Sequence, residues 1–238
     1  MVTVIPSERR HRKNLGWLDA RWHFSFADYH DPTNVHIGPL RVFNDDLIRA
    51  GGGFDAHPHR DMEIVSYVVA GGLRHRDSNG NNHVTTRGGV QVMSAGKGIV
   101  HSEEHGSPDG ETVRLLQIWI LPRTKGGQPQ WAQKSFEPAL ASAGGQWVTL
   151  VSGDGAIPGS LPIDQDASIH VARPRAGQRL SYRLPGAGRR AYLFVVNGRV
   201  TLAPDTALST GDQARLQGVD EVALTTDADA EVMLIDLP

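Results

Sequence analysis

Cysteine is absent from the 238-residue chain. That excludes disulfides, thiol catalysis, thiolate zinc sites and iron–sulfur clusters, so any bound metal must be held by nitrogen and oxygen. No apolar stretch approaches the roughly 18 residues that a spanning helix needs. The basic N-terminus MVTVIPSERRHRKNLG lacks the apolar segment that a secretory signal carries after its charges. These absences lead to the expectation of a cytoplasmic protein with no membrane partner. An excess of charge of one sign is missing too: 24 Lys and Arg face 26 Asp and Glu, for a net charge of -2. Such a balance argues against nucleic acid or an acidic surface as the main partner.

What is present is punctuation. Twenty-seven Gly and 14 Pro are spread between short apolar runs, the pattern of many short strands joined by turns in an all-β sandwich or barrel. In the first half the expected strands are HIGPLRVFNDDLI, MEIVSYVVAG, GLRHRDS, GGVQVMSA, GIVHSEEH and TVRLLQIWILP. The Asn-Gly in SNGNN, residues 78–82, is a strong hairpin signal and should join two antiparallel strands. From 123 to 145 the chain loses strand alternation and reads as a connector with one short helical turn near FEPALAS. A second series follows, from QWVTLVSG to AEVMLIDLP, and its FVVNGRVTL reads as another Asn-Gly hairpin, placed much as YVVAGGLRH is in the first half. The expected organisation is therefore a β unit over 1–122, a linker over 123–145 and a second β unit over 146–238.

Histidine is distributed unevenly between these halves. Ten of the 11 lie within the first 105 residues, and only His170 lies beyond. Two pairs stand out: His57 and His59 in FDAHPHRDMEI, and His101 and Glu103 in GKGIVHSEEH. Side chains two apart on a strand share a face, so each pair aims at one side and four ligand-type groups can converge. Three imidazoles and a carboxylate suit one divalent first-row metal, with positions left open for chemistry. His105 is spaced to share the same face as His101 and Glu103. His75 and His83 flank the Asn-Gly turn and read as solvent-facing or hydrogen-bonding residues. Met62, Met93, Phe43, Phe24 and Phe26 are the expected apolar lining, although Met93 on its strand can border the cavity or fill core, and core is the preferred reading. At the corresponding places the second half offers no metal ligands, so one unit is equipped and the other is not.

The string NDD at 44–46, then GGFDAHPHRDMEIVSYVVAGGLRHRDSNGN and GGVQVMSAGKGIVHSEE, with WHFSFADYHDP upstream and LQIWILP downstream, resembles the pirin family of two-cupin proteins. The resemblance is dense from about Trp17 to about Pro122. It implies two jelly-roll-type cupin barrels in one chain, a bicupin, with the metal in the N-terminal barrel on His57, His59, His101 and Glu103. Iron(II) is the expected metal, with Zn, Cu, Mn, Ni or Co as alternatives. It further implies quercetin 2,3-dioxygenase activity on a flavonol and dioxygen. Glu103, as the one carboxylate among the four ligands, is the candidate catalytic base, and because two fused barrels can bury their mutual edges, a monomer is the default expectation. The alternative that the family allows is a non-catalytic, redox-responsive metal-binding regulator.

Overall fold

A computed structural model describes residues 1–238. One six-residue α-helix, Glu137–Ser142, stands among 22 strands, so the chain is all-β as expected. By contact it forms two compact units: His11–Glu137 with Leu161–Gln165, and Met1–Arg10 with Pro138–Ser160 and Asp166–Pro238. This partition differs from the expected 1–122, 123–145 and 146–238. Val2–Ile5 pairs antiparallel with Gln213–Gln217, which ties the N-terminus to the second unit. Within the expected connector, Gln130–Ser135 is a strand paired with Gly89–Ser94. Its polar sequence QWAQKS suits an edge strand, which is why no apolar alternation marks it.

The first unit is built from two antiparallel sheets. One has seven strands in the order Gln130–Ser135, Gly89–Ser94, Glu63–Ala70, Val113–Ile120, Leu40–Ile48, Leu18–Trp22 and His11–Asn14. The other has four: Gly53–His59, Ile99–His105, Gly72–Asp77 and Asn82–Thr86. Between them lies a core that includes Leu18, Ala20, Trp22, Ile48, Val68, Leu73, Val113 and Leu115. A row of polar residues interrupts this apolar interior. Gln91, Ser66, Gln117 and Asn44 are register partners across four adjacent strands, and all are buried.

The Asn-Gly turn at 79–80 joins Gly72–Asp77 to Asn82–Thr86 as an antiparallel hairpin, as the sequence indicates. The second Asn-Gly behaves differently. Arg190–Asn197 and Arg199–Leu202 belong to different sheets of the second unit, so Asn197–Gly198 turns a corner between sheets and does not close a hairpin. Gly71 makes the same corner in the first unit, between Glu63–Ala70 and Gly72–Asp77. Both glycines have positive φ, 70° and 87°, and a Cβ at either would approach neighbouring atoms within 2.7 Å. The halves do share a plan, but the shared element is a corner.

The second unit repeats the two-sheet design. Its core gathers Leu180, Leu193, Val195, Val200, Leu202, Leu208, Leu216, Val222, Leu224, Val232 and Leu234. This cluster is apolar throughout; the buried polar residues of the unit, His170 and Ser168 among them, lie outside it.

Candidate metal centre

Every sequence-named ligand comes from the four-stranded sheet of the first unit. Gly53–His59 is its edge strand, bonded only to Ile99–His105, so Pro58 can sit between the two histidines with its missing N–H on the unpaired side. His57 and His101 are register partners, and the ladder shifts between His101 and Glu103. The result is a tight histidine cluster: ring centroids are 4.8 Å apart for His57 and His59, 4.5 Å for His57 and His101, and 4.9 Å for His59 and His101. Ligand atoms of these three lie within 4.8 Å of one another.

The hydrogen bonds leave the correct nitrogens bare. His57 donates from Nδ1 to the Asp55 carbonyl at 2.6 Å, which leaves Nε2 with its lone pair. The Nε2 atoms of His59 and His101 are buried and have no hydrogen-bond partner. Burial, followed by the charges of neighbouring histidines, lowers His59 to about 4 and His101 to about 3, so both rings stay neutral near pH 7 and keep their donor electrons. A buried, unpartnered, neutral imidazole nitrogen beside two others is a donor set that fits a divalent transition metal.

Glu103 stands one step away. Its ligand atoms group with those of His101 and His75 within 4.8 Å, so His101 belongs to both clusters. The polar row holds this carboxylate from across the barrel. Gln91 and Ser66 donate to Oε1, while Gln117 donates to Oε2 at 2.7 Å. The indole N–H of Trp119 donates to the Gln117 carbonyl at 3.0 Å and thereby fixes which end of that amide faces Glu103.

Beside the histidines opens a cavity of about 490 Å³, walled by Trp17, Trp22, Phe26, Phe54 and Trp119, with Asn44, Asp46, His57, Glu103 and Gln117 as its polar lining. Trp119 meets His59 edge-on at 4.8 Å and Phe26 at 5.4 Å. Asp46 has a buried oxygen without a partner. Burial, then the charges of Asp45 and Glu103, raises its carboxyl well above the usual range.

His105, spaced to share the face of His101 and Glu103, does not join the cluster: its Nε2 donates to the Glu111 carbonyl at 2.8 Å. His75 takes the hydrogen-bonding half of its reading and not the solvent-facing half: its Nε2 lies 3.0 Å from Asp77 Oδ2. It is fully buried behind His101, because the residue opposite Glu103 on the adjacent strand must also face inward. Of the expected apolar lining only Phe26 reaches the cavity; Phe24 and Phe43 are core and Met62 packs beside Met93, which fills core with Ile64, Ala95 and Ile99 in line with its preferred reading. The tryptophans of the wall and the polar row went unrecognised, although Gln91, Ser66 and Gln117 interrupt otherwise apolar strands.

Comparison with known proteins places this geometry in a family. The Pirin family model matches residues 5–120, and a model described as the quercetinase C-terminal cupin domain matches 133–237. The chain is 45% identical over 237 residues to a putative quercetin 2,3-dioxygenase of Pseudomonas aeruginosa, covering 100% of both. It is 40% identical to quercetin 2,3-dioxygenase of Escherichia coli K12, covering 100% of this chain and 99% of that one. Among solved structures, YhhW from Escherichia coli superposes with a TM-score of 0.93 at 38% identity, covering 100% of this chain and 98% of that one. A structure of the same bacterial pirin in complex with nickel(II) gives 0.92 at 37% identity, with 100% and 99% covered.

Proposed function

The chain belongs to the pirin family of two-cupin proteins, and from that premise we propose that it is a metal-dependent dioxygenase that cleaves a flavonol such as quercetin with dioxygen. His57, His59, His101 and Glu103 would hold one divalent transition metal. Iron(II) is our choice for turnover, and nickel(II) is the ion present in a relative's structure. The observation that carries the proposal is a cluster of bare imidazole nitrogens beside an aromatic-walled cavity, with His57 in its lining. Such walls suit a planar polyphenol better than a sugar phosphate.

When bound, the metal would supply Lewis acidity and a place for the substrate's 3-hydroxyl and neighbouring carbonyl. The protein's own tasks can be stated separately. Trp22, Phe26 and Trp119, set edge to face with one another, give the substrate's rings an apolar wall. Glu103 takes the 3-hydroxyl proton on Oε2: Oε1 already accepts Gln91 and Ser66, while Oε2 accepts only Gln117 and keeps one lone pair, which serves the metal first and the proton once the carboxylate lets the metal go. The electron-rich ring then reacts with dioxygen, and the ring opens with loss of carbon monoxide.

The test is to load the protein with iron(II) or nickel(II) without air, add quercetin and then admit oxygen. The expected result is a shift of the flavonol absorption band on mixing, bleaching with carbon monoxide release in air, and neither change after metal removal. A fully loaded protein that shifts the band but never bleaches it would point instead to a non-catalytic metal-binding module.

A further inference from the structure

One buried titratable pair is left unused by the proposed reaction, and it lies directly behind a ligand. His75 and Asp77 are two residues apart on Gly72–Asp77 and so share a face; both side chains are fully buried. His75 Nε2 lies 3.0 Å from Asp77 Oδ2, and His75 Nδ1 lies 3.5 Å from His101 Nδ1. The indole of Trp131 stacks flat on His75, with centroids 5.2 Å apart and planes 18° apart, and on its other neighbour His83 at 5.0 Å, which fixes the plane of the His75 ring.

We propose that Asp77, acting through His75, sets the tautomer of His101 and so decides which of its nitrogens is offered to a metal. The direction of the relay follows from counting donors. Asp77 Oδ1 accepts the backbone N–H groups of Asn79 and Asn81 at 2.9 and 3.1 Å, and Oδ2 accepts the Asn81 side-chain amide at 2.9 Å. Everything around this carboxylate donates to it. His75 must therefore carry its proton on Nε2, where it meets Asp77, and present a bare Nδ1 to His101. His101 in turn donates from Nδ1, which leaves its Nε2 bare, and that is the nitrogen buried without a partner. Carboxylates or carbonyls behind ligating histidines commonly act in this way; here the signal passes through a second imidazole. Asp77 and His75 are positioning residues, since neither is among the four assigned ligands.

The argument rests on His101 being a ligand, and the test separates the two claims. Asp77→Asn keeps an oxygen for the backbone N–H groups and so turns its new amide toward His75. The relay then reverses: His75 accepts on Nε2, donates from Nδ1 and leaves His101 protonated on Nε2. Histidine ¹⁵N NMR of the metal-free protein at pH 7.5 should show His101 Nε2 as bare in the wild type and protonated in Asp77→Asn. Nickel(II) titration should show an affinity loss of about 10- to 100-fold in Asp77→Asn. His75→Phe keeps the stack on Trp131 and removes both the acceptor that faces His101 and the donor that faces Asp77, so His101 can populate both tautomers and the loss is smaller. A merely structural role would rank these variants the other way, because His75→Phe is the larger change in packing. A wild-type His101 protonated on Nε2, or an Asp77→Asn protein with wild-type tautomer and nickel affinity, overturns the proposal. A tautomer that switches in a protein that binds no nickel would leave the relay standing and overturn the metal assignment.

Discussion

Gln117 donates to Glu103 at 2.7 Å with an amide that cannot turn over, because its carbonyl is held by the Trp119 indole. Gln91, on the opposite side of the carboxylate, is free to turn: its carbonyl oxygen is buried and has no partner. This asymmetry makes Glu103→Gln an unusually clean substitution. The new amide can place its oxygen toward Gln117 and its NH₂ toward the carbonyl of a reversed Gln91; the reversal turns the Gln91 NH₂ into the partnerless position its carbonyl holds now, so one buried group stays unmade, as in the wild type. Glu103→Ala instead leaves the donors of Gln91, Ser66 and Gln117 facing a hole, which costs roughly 1–3 kcal/mol for each buried group left unmade. Thermal melts of the metal-free variants should therefore show Glu103→Gln close to wild type and Glu103→Ala several degrees lower, while neither bleaches quercetin. Bleaching by fully metal-loaded Glu103→Gln would remove Glu103 from the role of base.

The histidine cluster makes a quantitative demand on metal content. Elemental analysis of the protein as isolated should find close to one transition-metal ion per chain, and His57→Ala or His59→Ala should lower nickel(II) affinity by at least about 10-fold, in line with the loss expected even when a residue only supporting a ligand is removed. Two ions per chain would mean that the second unit is loaded after all, although both nitrogens of its one histidine, His170, are engaged by hydroxyls.

Phe26 tests whether the cavity receives the ring system. It lines the wall, meets Trp119 edge-on at 5.4 Å, and touches none of the clustered histidine nitrogens. Phe26→Ala should weaken quercetin binding by about 10-fold, the size expected when an aromatic contact and its buried area are lost, a little over 1 kcal/mol. Nickel(II) affinity should stay within about twofold of wild type. Unchanged quercetin affinity would move the ligand out of this cavity.

Legibility in the sequence followed the local physics. The His57/His59 and His101/Glu103 pairs could be found because a two-residue period is a property of one strand. Finding His75 required knowing that its strand pairs with the His101 strand in the register that sets His75 opposite Glu103, and pairing between strands is not written in either alone. The same holds for the polar row: Gln91, Ser66, Gln117 and Asn44 lie on four separate strands and become neighbours only through register. Gln130–Ser135 was hidden because an edge strand carries no apolar alternation to betray it. The corner at Gly198 imitated a hairpin because a positive φ serves both kinds of turn.

His170, the one histidine outside the first 105 residues, should act on stability and not on metal binding. It is buried in the second unit, where Nδ1 meets the Thr149 hydroxyl at 3.0 Å and Nε2 meets the Ser168 hydroxyl at 2.8 Å. Burial lowers it to about 4, against an ordinary 6.5. Between those values the unfolded chain binds a proton that the folded chain refuses, so the contribution of His170 is full above about pH 6.5 and is lost as the pH falls toward 4. At full extent the loss amounts to about 3 kcal/mol. His170→Gln keeps a polar side chain between the two hydroxyls and cannot titrate. Urea denaturation of both proteins at pH 7.5 and pH 4.5 should show the wild type losing about 2 kcal/mol more than the variant over that interval. Parallel losses in the two proteins would mean that His170 already takes up its proton in the folded state.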